Sequence, residues 1–182
     1  AKIARAAAST DTGPLPDWRK ESGQYAKGRV RIQGLDISIE NPAGSIRSGV
    51  SPEGEPWEQV LQSHYGYIHH ESRGADYDPV DVFIGPDPAS ELVYVVDQVK
   101  PDGGFDEHKC ILGWNSEQAA RAGYAANYPQ GWRVGPMTAM TTAQFKEWLD
   151  KGDLTKPVSE SLGPPRRALI TGGETYQFPV DG

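Results

Sequence analysis

The residues best suited to chemistry lie in Asp76-Tyr77-Asp78-Pro79-Val80-Asp81-Val82-Phe83-Ile84, where three carboxylates fall within six residues at the entrance to an apolar run. Crowded like charges raise the cost of ionising one another. A divalent cation between them reverses that balance, because hard cations such as Mg2+ take oxygen ligands. In an extended segment Asp76 and Asp78 share a face, and Pro79 re-aims the chain before Asp81, so the three oxygens can converge. An EF-hand is excluded: counted from Asp76, Asp81 and Asp87 stand where that loop needs Gly and Glu. Alone, the cluster reads equally as a solvated acidic turn ahead of a strand. Its surroundings decide between the two.

Upstream, Asn41-Pro42-Ala43-Gly44-Ser45-Ile46-Arg47-Ser48-Gly49 has the composition of a loop with one guanidinium in it. Its glycines allow close backbone approach to an anion, and Arg47 can clamp a phosphate bidentately, although a loop arginine is more often simply solvated. Ser51 to Trp57 reads as a further turn. Next, His64-Tyr65-Gly66-Tyr67-Ile68-His69-His70 puts Tyr65 and Tyr67 on one face of a strand, with Tyr65 in reach of the acidic stretch. Neighbours on a strand point to opposite faces, so His69 and His70 read against a shared metal. Downstream, Phe105–Lys109 places charges of both signs just before the apolar strand Cys110–Trp114, and Glu107 and Lys109 would share a face of that strand; the plain alternative is an exposed ion pair on a sheet edge, worth under ~1 kcal/mol. Acidic loop, tyrosine, cationic loop and charged strand together suit metal-assisted phosphoryl transfer, in which cations activate a water and neutralise phosphate oxygens, and Arg and Lys hold the remaining charge.

The elements that must position these groups are short. The chain has 182 residues, with 21 Gly and 15 Pro, which favours one strand-and-loop domain over a helical bundle. A net charge of −7 argues against nucleic acid or an anionic membrane as the main partner. A single cysteine, Cys110, excludes an internal disulfide and suits a reducing compartment. No run approaches a membrane span. Residues 1–24 read as a linker, N-terminal extension or short helix. Arg29–Gln33 and Leu35–Glu40 alternate as a hairpin around Gly34, and Glu91–Val99 is nearly continuous in apolar residues, as in a strand covered on both sides. Two helices follow: Ser116–Tyr128, capped by Asn115 or Ser116, and a helix through Asp150 opened by Thr141-Thr142-Ala143-Gln144, which resembles a capping box. Phe145, Trp148 and Leu149 are its apolar face. The domain is expected over 25–155, and 156–182 as a tail or late hairpin, with Ala168-Leu169-Ile170 and Tyr176-Gln177-Phe178 as its strands.

Four segments, in order over residues 37–112, resemble the family I soluble inorganic pyrophosphatases. Asp76-Tyr77-Asp78-Pro79-Val80-Asp81-Val82 is similar to that family's Asp-Gly-Asp-Pro-x-Asp-Val signature, which follows a strand like Tyr65-Gly66-Tyr67-Ile68. Ile39-Glu40-Asn41-Pro42 is similar to its Ile-Glu-Ile-Pro segment, and Asp102 to Lys109 to its Asp-Glu-Ala-Gly-x-Asp-x-Lys. More narrowly, the chain resembles the pyrophosphatase-like domains of phages and prophages, some within large multidomain proteins. The absence of an initiator Met fits an excised domain or trimming equally.

The resemblance implies an α+β, mainly β fold: a small antiparallel OB-like or Greek-key β-barrel, closed or nearly so, with two flanking helices. It implies Mg2+ (or Mn2+) as cofactor and Asp76, Asp78, Asp81, Asp102 and Glu107 as metal ligands, with Asp81 bridging and Asp78 the base. Asp106 takes the place of Glu107 if that loop is bulged. Glu40 and Tyr65 would be active-site residues, and Lys109 and Arg47 would bind phosphate. The expected activity is hydrolysis of inorganic pyrophosphate by a soluble cytoplasmic enzyme (in the host cytoplasm if phage-encoded), as a homo-oligomer or part of a larger phage polyprotein. The chain departs from the family where Arg47-Ser48-Gly49 replaces Lys-Tyr-Glu, where an arginine before Tyr65 is absent, where Tyr77 replaces a small residue, and where the late Tyr-Lys pair has only Lys146 or Lys151 to match. Two alternatives follow: a phage structural or injected module that binds metal or phosphate without turnover, and a nucleotide phosphoanhydride hydrolase in which Tyr77 or Trp57 stacks on a base.

Overall fold

The computed structural model describes residues 1–51, 53–70 and 78–161. Helices α1 (Lys2–Ala8) and α2 (Asp17–Ser22) open the chain. Strands β1 (Gly28–Ile32), β2 (Leu35–Asn41), β3 (Ile46–Val50), β4 (Pro56–Val60), β5 (His64–Ile68), β6 (Asp81–Ile84), β7 (Leu92–Val99) and β8 (Phe105–Leu112) follow. Then come α3 (Glu117–Ala125), β9 (Met137–Thr141), α4 (Thr142–Lys151) and α5 (Val158–Ser161). Seven strands form one sheet in the order β1-β2-β5-β6-β8-β7-β9.

The β1–β2 hairpin forms as its alternation predicts, closing at Ile32↔Leu35. Gln33 (φ 51°) and Gly34 (φ 76°) supply the paired left-handed residues of a type I′ turn, whose twist matches the strands. The mainly β architecture with flanking helices also matches expectation, but the sheet is neither closed nor wholly antiparallel. It ends at β1 and β9, and β6 runs parallel to β8, from Asp81↔Lys109 to Ile84↔Leu112. The reason is connectivity. β7 lies beyond β8 rather than beside β6, so the β7–β8 hairpin returns β8 alongside β6 in the same direction.

Arg47 is on a strand, not in a loop. β3 and β4 form a separate two-stranded ribbon, from Ile46↔Val60 to Val50↔Pro56. Its mixed composition hides it in the sequence: the ribbon lies apart from the main core, and Ile46, Val50, Trp57 and Val60 are all exposed.

Each face of the main sheet is covered. On one, Ile37, Val82, Ile84, Val95, Cys110 and Leu112 pack with Ala6 and Ala7 of α1 and with Phe145, Trp148 and Leu149 of α4. On the other, Tyr65, Phe83, Tyr94, Val96 and Ile111 pack with Ala120 and Tyr124 of α3. This double cover explains why β7 is buried from Val93 to Gln98. The caps fall where expected: Ser116 accepts from the Ala119 amide, and Thr141 with Gln144 completes a capping box. The N-terminal stretch, expected as linker, extension or short helix, holds the short helices α1 and α2, and α1 packs into the fold. A Cβ on Gly28 would lie 1.6 Å from the Ala6 carbonyl oxygen, so α1 rests directly on β1. The last described turn is tied in too, the Val158 amide donating to Asp97 Oδ1 at 2.9 Å. The expected late hairpin at 168–178 lies outside the described residues.

Candidate anion and metal site

Strand register builds the centre of the site. Tyr67, Asp81 and Lys109 are partners across β5, β6 and β8, so Asp81 and Lys109 stand side by side, with Tyr65 one step along the same face. The Tyr65 hydroxyl donates to Asp81 Oδ2 at 2.6 Å and accepts from Lys109 Nζ at 3.0 Å and from Arg47 Nη2 at 3.1 Å. Lys109 Nζ also lies 2.6 Å from Asp81 Oδ2 and 2.7 Å from Glu107 Oε1. The Arg47 guanidinium lies over the rings of Tyr65 (4.3 Å) and Trp57 (5.4 Å), and so the ribbon leans onto the sheet.

The Lys109–Glu107 pair is not the exposed edge pair that the sequence allowed. β8 is an interior strand and Lys109 is 1% exposed. Burial works against its charge, yet Tyr65, Asp81, Tyr128 and Glu107 hold its proton affinity well above an ordinary lysine's. Burial likewise opposes the charge of Arg47, and Tyr65, Tyr128, Asp81 and Glu107 outweigh it. Both cations are therefore fixed charges. Glu40 sits across the same cleft and behaves oppositely: burial and then the Asp81 charge raise its pKa, against the pull of Lys27, Arg47 and Lys109. Burial, above all, keeps the Tyr65 phenol protonated.

A cleft of about 770 Å³ opens onto Glu40, Arg47, Tyr65 and Asp81. The expected site residues divide accordingly. Glu40, Arg47, Tyr65, Asp81, Glu107 and Lys109 are brought together. Asp78 is exposed just ahead of β6, two residues before Val80 enters the core. Asp102 is turned into the β7–β8 connection, where it accepts from the Gly104 amide at 2.8 Å. The register between β7 and β8 shifts opposite Asp106, a bulge that leaves Asp106 exposed beside Gln98 and Glu107 facing Lys109. Asp76 lies outside the described residues. His69 and His70 diverge, one to Ser38 Oγ and the other to the Leu149 carbonyl.

Three contributors were missed in the sequence. Tyr25 and Lys27 precede β1 and flank Glu40; burial and then Glu40 push the Tyr25 phenol up to about 12. Their two-residue spacing at the head of a strand was the available signal. Tyr128, after α3, is bound to Gln98 Oε1 at 3.0 Å and stacks on Trp132; nothing local in the sequence marks it.

Among the described residues no group of three or more carboxylate, histidine or cysteine side chains gathers as a metal cluster. The donors that face the cleft nevertheless fit a hard cation. Both bonds to Asp81 fall on Oδ2 of a carboxylate that is 24% exposed, and the Asp81 charge burdens Glu40, a cost that a divalent ion between them would relieve.

The fold is a mainly β sheet whose cleft gathers the Glu40 and Asp81 carboxylates, the Tyr65 phenol and the Arg47 guanidinium. The family model described as Inorganic Pyrophosphatase matches residues 17–150, and the chain belongs to that family. Neither a curated protein nor a solved structure matches it.

Proposed function

We propose that the protein hydrolyses inorganic pyrophosphate with a divalent cation, Mg2+ or Mn2+. The observation that carries this reading is the Asp81–Tyr65–Lys109–Arg47 constellation: Asp81, Tyr65 and Arg47 line one cleft, and the buried Lys109 ammonium lies directly behind Asp81 and Tyr65. Asp81 and Asp78, with Glu40 across the cleft, would hold the metal; once bound, it supplies an activated water and neutralises phosphate charge. Lys109 and Arg47 bind the phosphate oxygens and stabilise the charge that grows on the departing phosphate. Tyr65, donating to Asp81, holds the carboxylate in one orientation. Asp78, at the open end of β6, takes the proton of the attacking water as the P–O–P bond breaks. A nucleotide anhydride is the second reading, favoured by Trp57, 38% exposed and beside Arg47.

The test is phosphate release from pyrophosphate with Mg2+ or Mn2+, comparing the parent with Asp81→Ala. Metal-dependent turnover that disappears in the variant is expected. No turnover with either metal, in a protein shown to be folded, sinks the assignment and turns the search to nucleotides, then to binding without turnover.

A further inference from the structure

The chain between Thr10 and Gly28 leaves the core and returns to the same point. Thr10 Oγ1 donates to the Ile39 carbonyl at 2.8 Å and accepts from the Gly28 amide at 2.8 Å. The Asp11 amide donates to the Ala26 carbonyl at 2.7 Å, so both ends of the excursion are joined by a hydrogen bond. The excursion carries α2 and closes on itself as an Ω-loop does, a class often used for function. Its returning arm is braced: Lys27 Nζ donates to the Gly23 carbonyl at 3.1 Å and lies 4.8 Å from the Tyr25 ring centre and 5.5 Å from that of Tyr67.

The loop forms the outer wall of the cleft. Residues 11–15, Lys20 and Tyr25 face the same space as Glu40, Arg47, Tyr65 and Asp81. That wall has its own anion chemistry. Among the described lining residues Lys20 is the one cation besides Arg47, and Tyr25 presents a phenol to the same space. The inner cations, Arg47 and Lys109, both converge on the Tyr65 hydroxyl. Lys20 and Tyr25 reach the same cleft from a separate segment of chain.

We propose that the Asp11–Ala26 loop is the outer half of the substrate site, with Lys20 and Tyr25 binding the phosphoryl group farther from Lys109. The inference rests on the phosphoanhydride reading for its substrate, but not for its anion chemistry. Lys20 and Tyr25 are then substrate-binding residues, whose loss weakens binding more than turnover.

The test uses the full chain and two readouts: KM and kcat for pyrophosphate with Mg2+, and calorimetric titration with inorganic phosphate. Lys20→Ala is expected to raise KM about fivefold, as for loss of one charge-assisted hydrogen bond, with kcat within about twofold. It should weaken phosphate binding to a similar degree. Lys20→Arg should restore both, and Tyr25→Phe should weaken phosphate binding with the fold intact by circular dichroism. Arg121→Ala, which removes an exposed charge on α3, serves as the control for net charge and should change neither. Unchanged KM and phosphate affinity in Lys20→Ala overturns the proposal, as does an equal loss in Arg121→Ala or no phosphate binding by the parent. If the parent binds phosphate but does not turn over pyrophosphate, the hydrolase reading fails. The phosphate titrations then decide the loop alone: weaker binding in Lys20→Ala and Tyr25→Phe upholds it, and unchanged binding overturns it.

Discussion

Replacing Lys109 by methionine removes a buried charge while keeping an unbranched side chain of similar reach. The ammonium makes three close contacts, to Asp81 and Glu107 at 2.6 and 2.7 Å and to the Tyr65 hydroxyl at 3.0 Å. Breaking a fully buried pair costs roughly 3–5 kcal/mol, because the abandoned charge has no solvent. Here the two partners are not fully buried: Asp81 is 24% exposed and Glu107 51%. Asp81 also keeps the Tyr65 hydroxyl, and methionine has no ammonium to desolvate. The net loss should fall to about 2 kcal/mol, a drop of roughly 4–8 °C in Tm for a domain of this size. Turnover should fall much further, by about 10²–10³-fold, the loss seen when a preorganised group facing transition-state charge is deleted. Urea unfolding gives the first figure and phosphate release the second. A loss above about 4 kcal/mol would show that Asp81 cannot recover solvent. Unchanged turnover in an active parent would remove Lys109 from the chemistry.

Gly66→Ala should be severely destabilising, by at least about 3 kcal/mol, because its Cβ would lie 1.8 Å from the Ser38 carbonyl oxygen and must push β5 off β2; a near-normal urea midpoint would refute that packing. Asp97 and His108 form a buried pair with Oδ1 and Nε2 3.5 Å apart. Burial raises the Asp97 carboxyl to about 6, aided by Glu160 and opposed by the Val158 amide. Its contribution therefore makes stability fall as pH rises from its ordinary value of 3.8 through about 6. Burial also lowers His108 to about 4, despite the Lys156 backbone, so its contribution is lost as pH falls from 6.5 through about 4. The two slopes oppose each other. Asp97→Asn should unmask the histidine, giving stability that rises with pH between about 4 and 6.5 relative to the parent; urea midpoints measured across that range that stay parallel would refute it.

Local physics made much of the protein legible in its sequence. The β1–β2 hairpin was visible because alternation and a Gly turn are encoded within a dozen residues, and the helix caps at Ser116 and Thr141 because each acts within a single turn. Continuous apolar character marked β7 as covered on both sides. The period of two put Glu107 and Lys109 on one face, and ordered motifs gave the family. Tertiary structure decided what depends on distant partners. Whether Lys109 was an exposed edge charge or a buried one turned on β8 being interior, which no local pattern states. The parallel register that seats Asp81 against Lys109 follows from β7 crossing beyond β8. Arg47 reaches the Tyr65 hydroxyl because a ribbon with little core of its own leans on the sheet. Lys20 and Tyr25 come to the cleft because Thr10 and Ala26 pin a loop that read as a linker. Short-range periodicity fixes which face a side chain takes, whereas register and burial are set by the folded sheet as a whole.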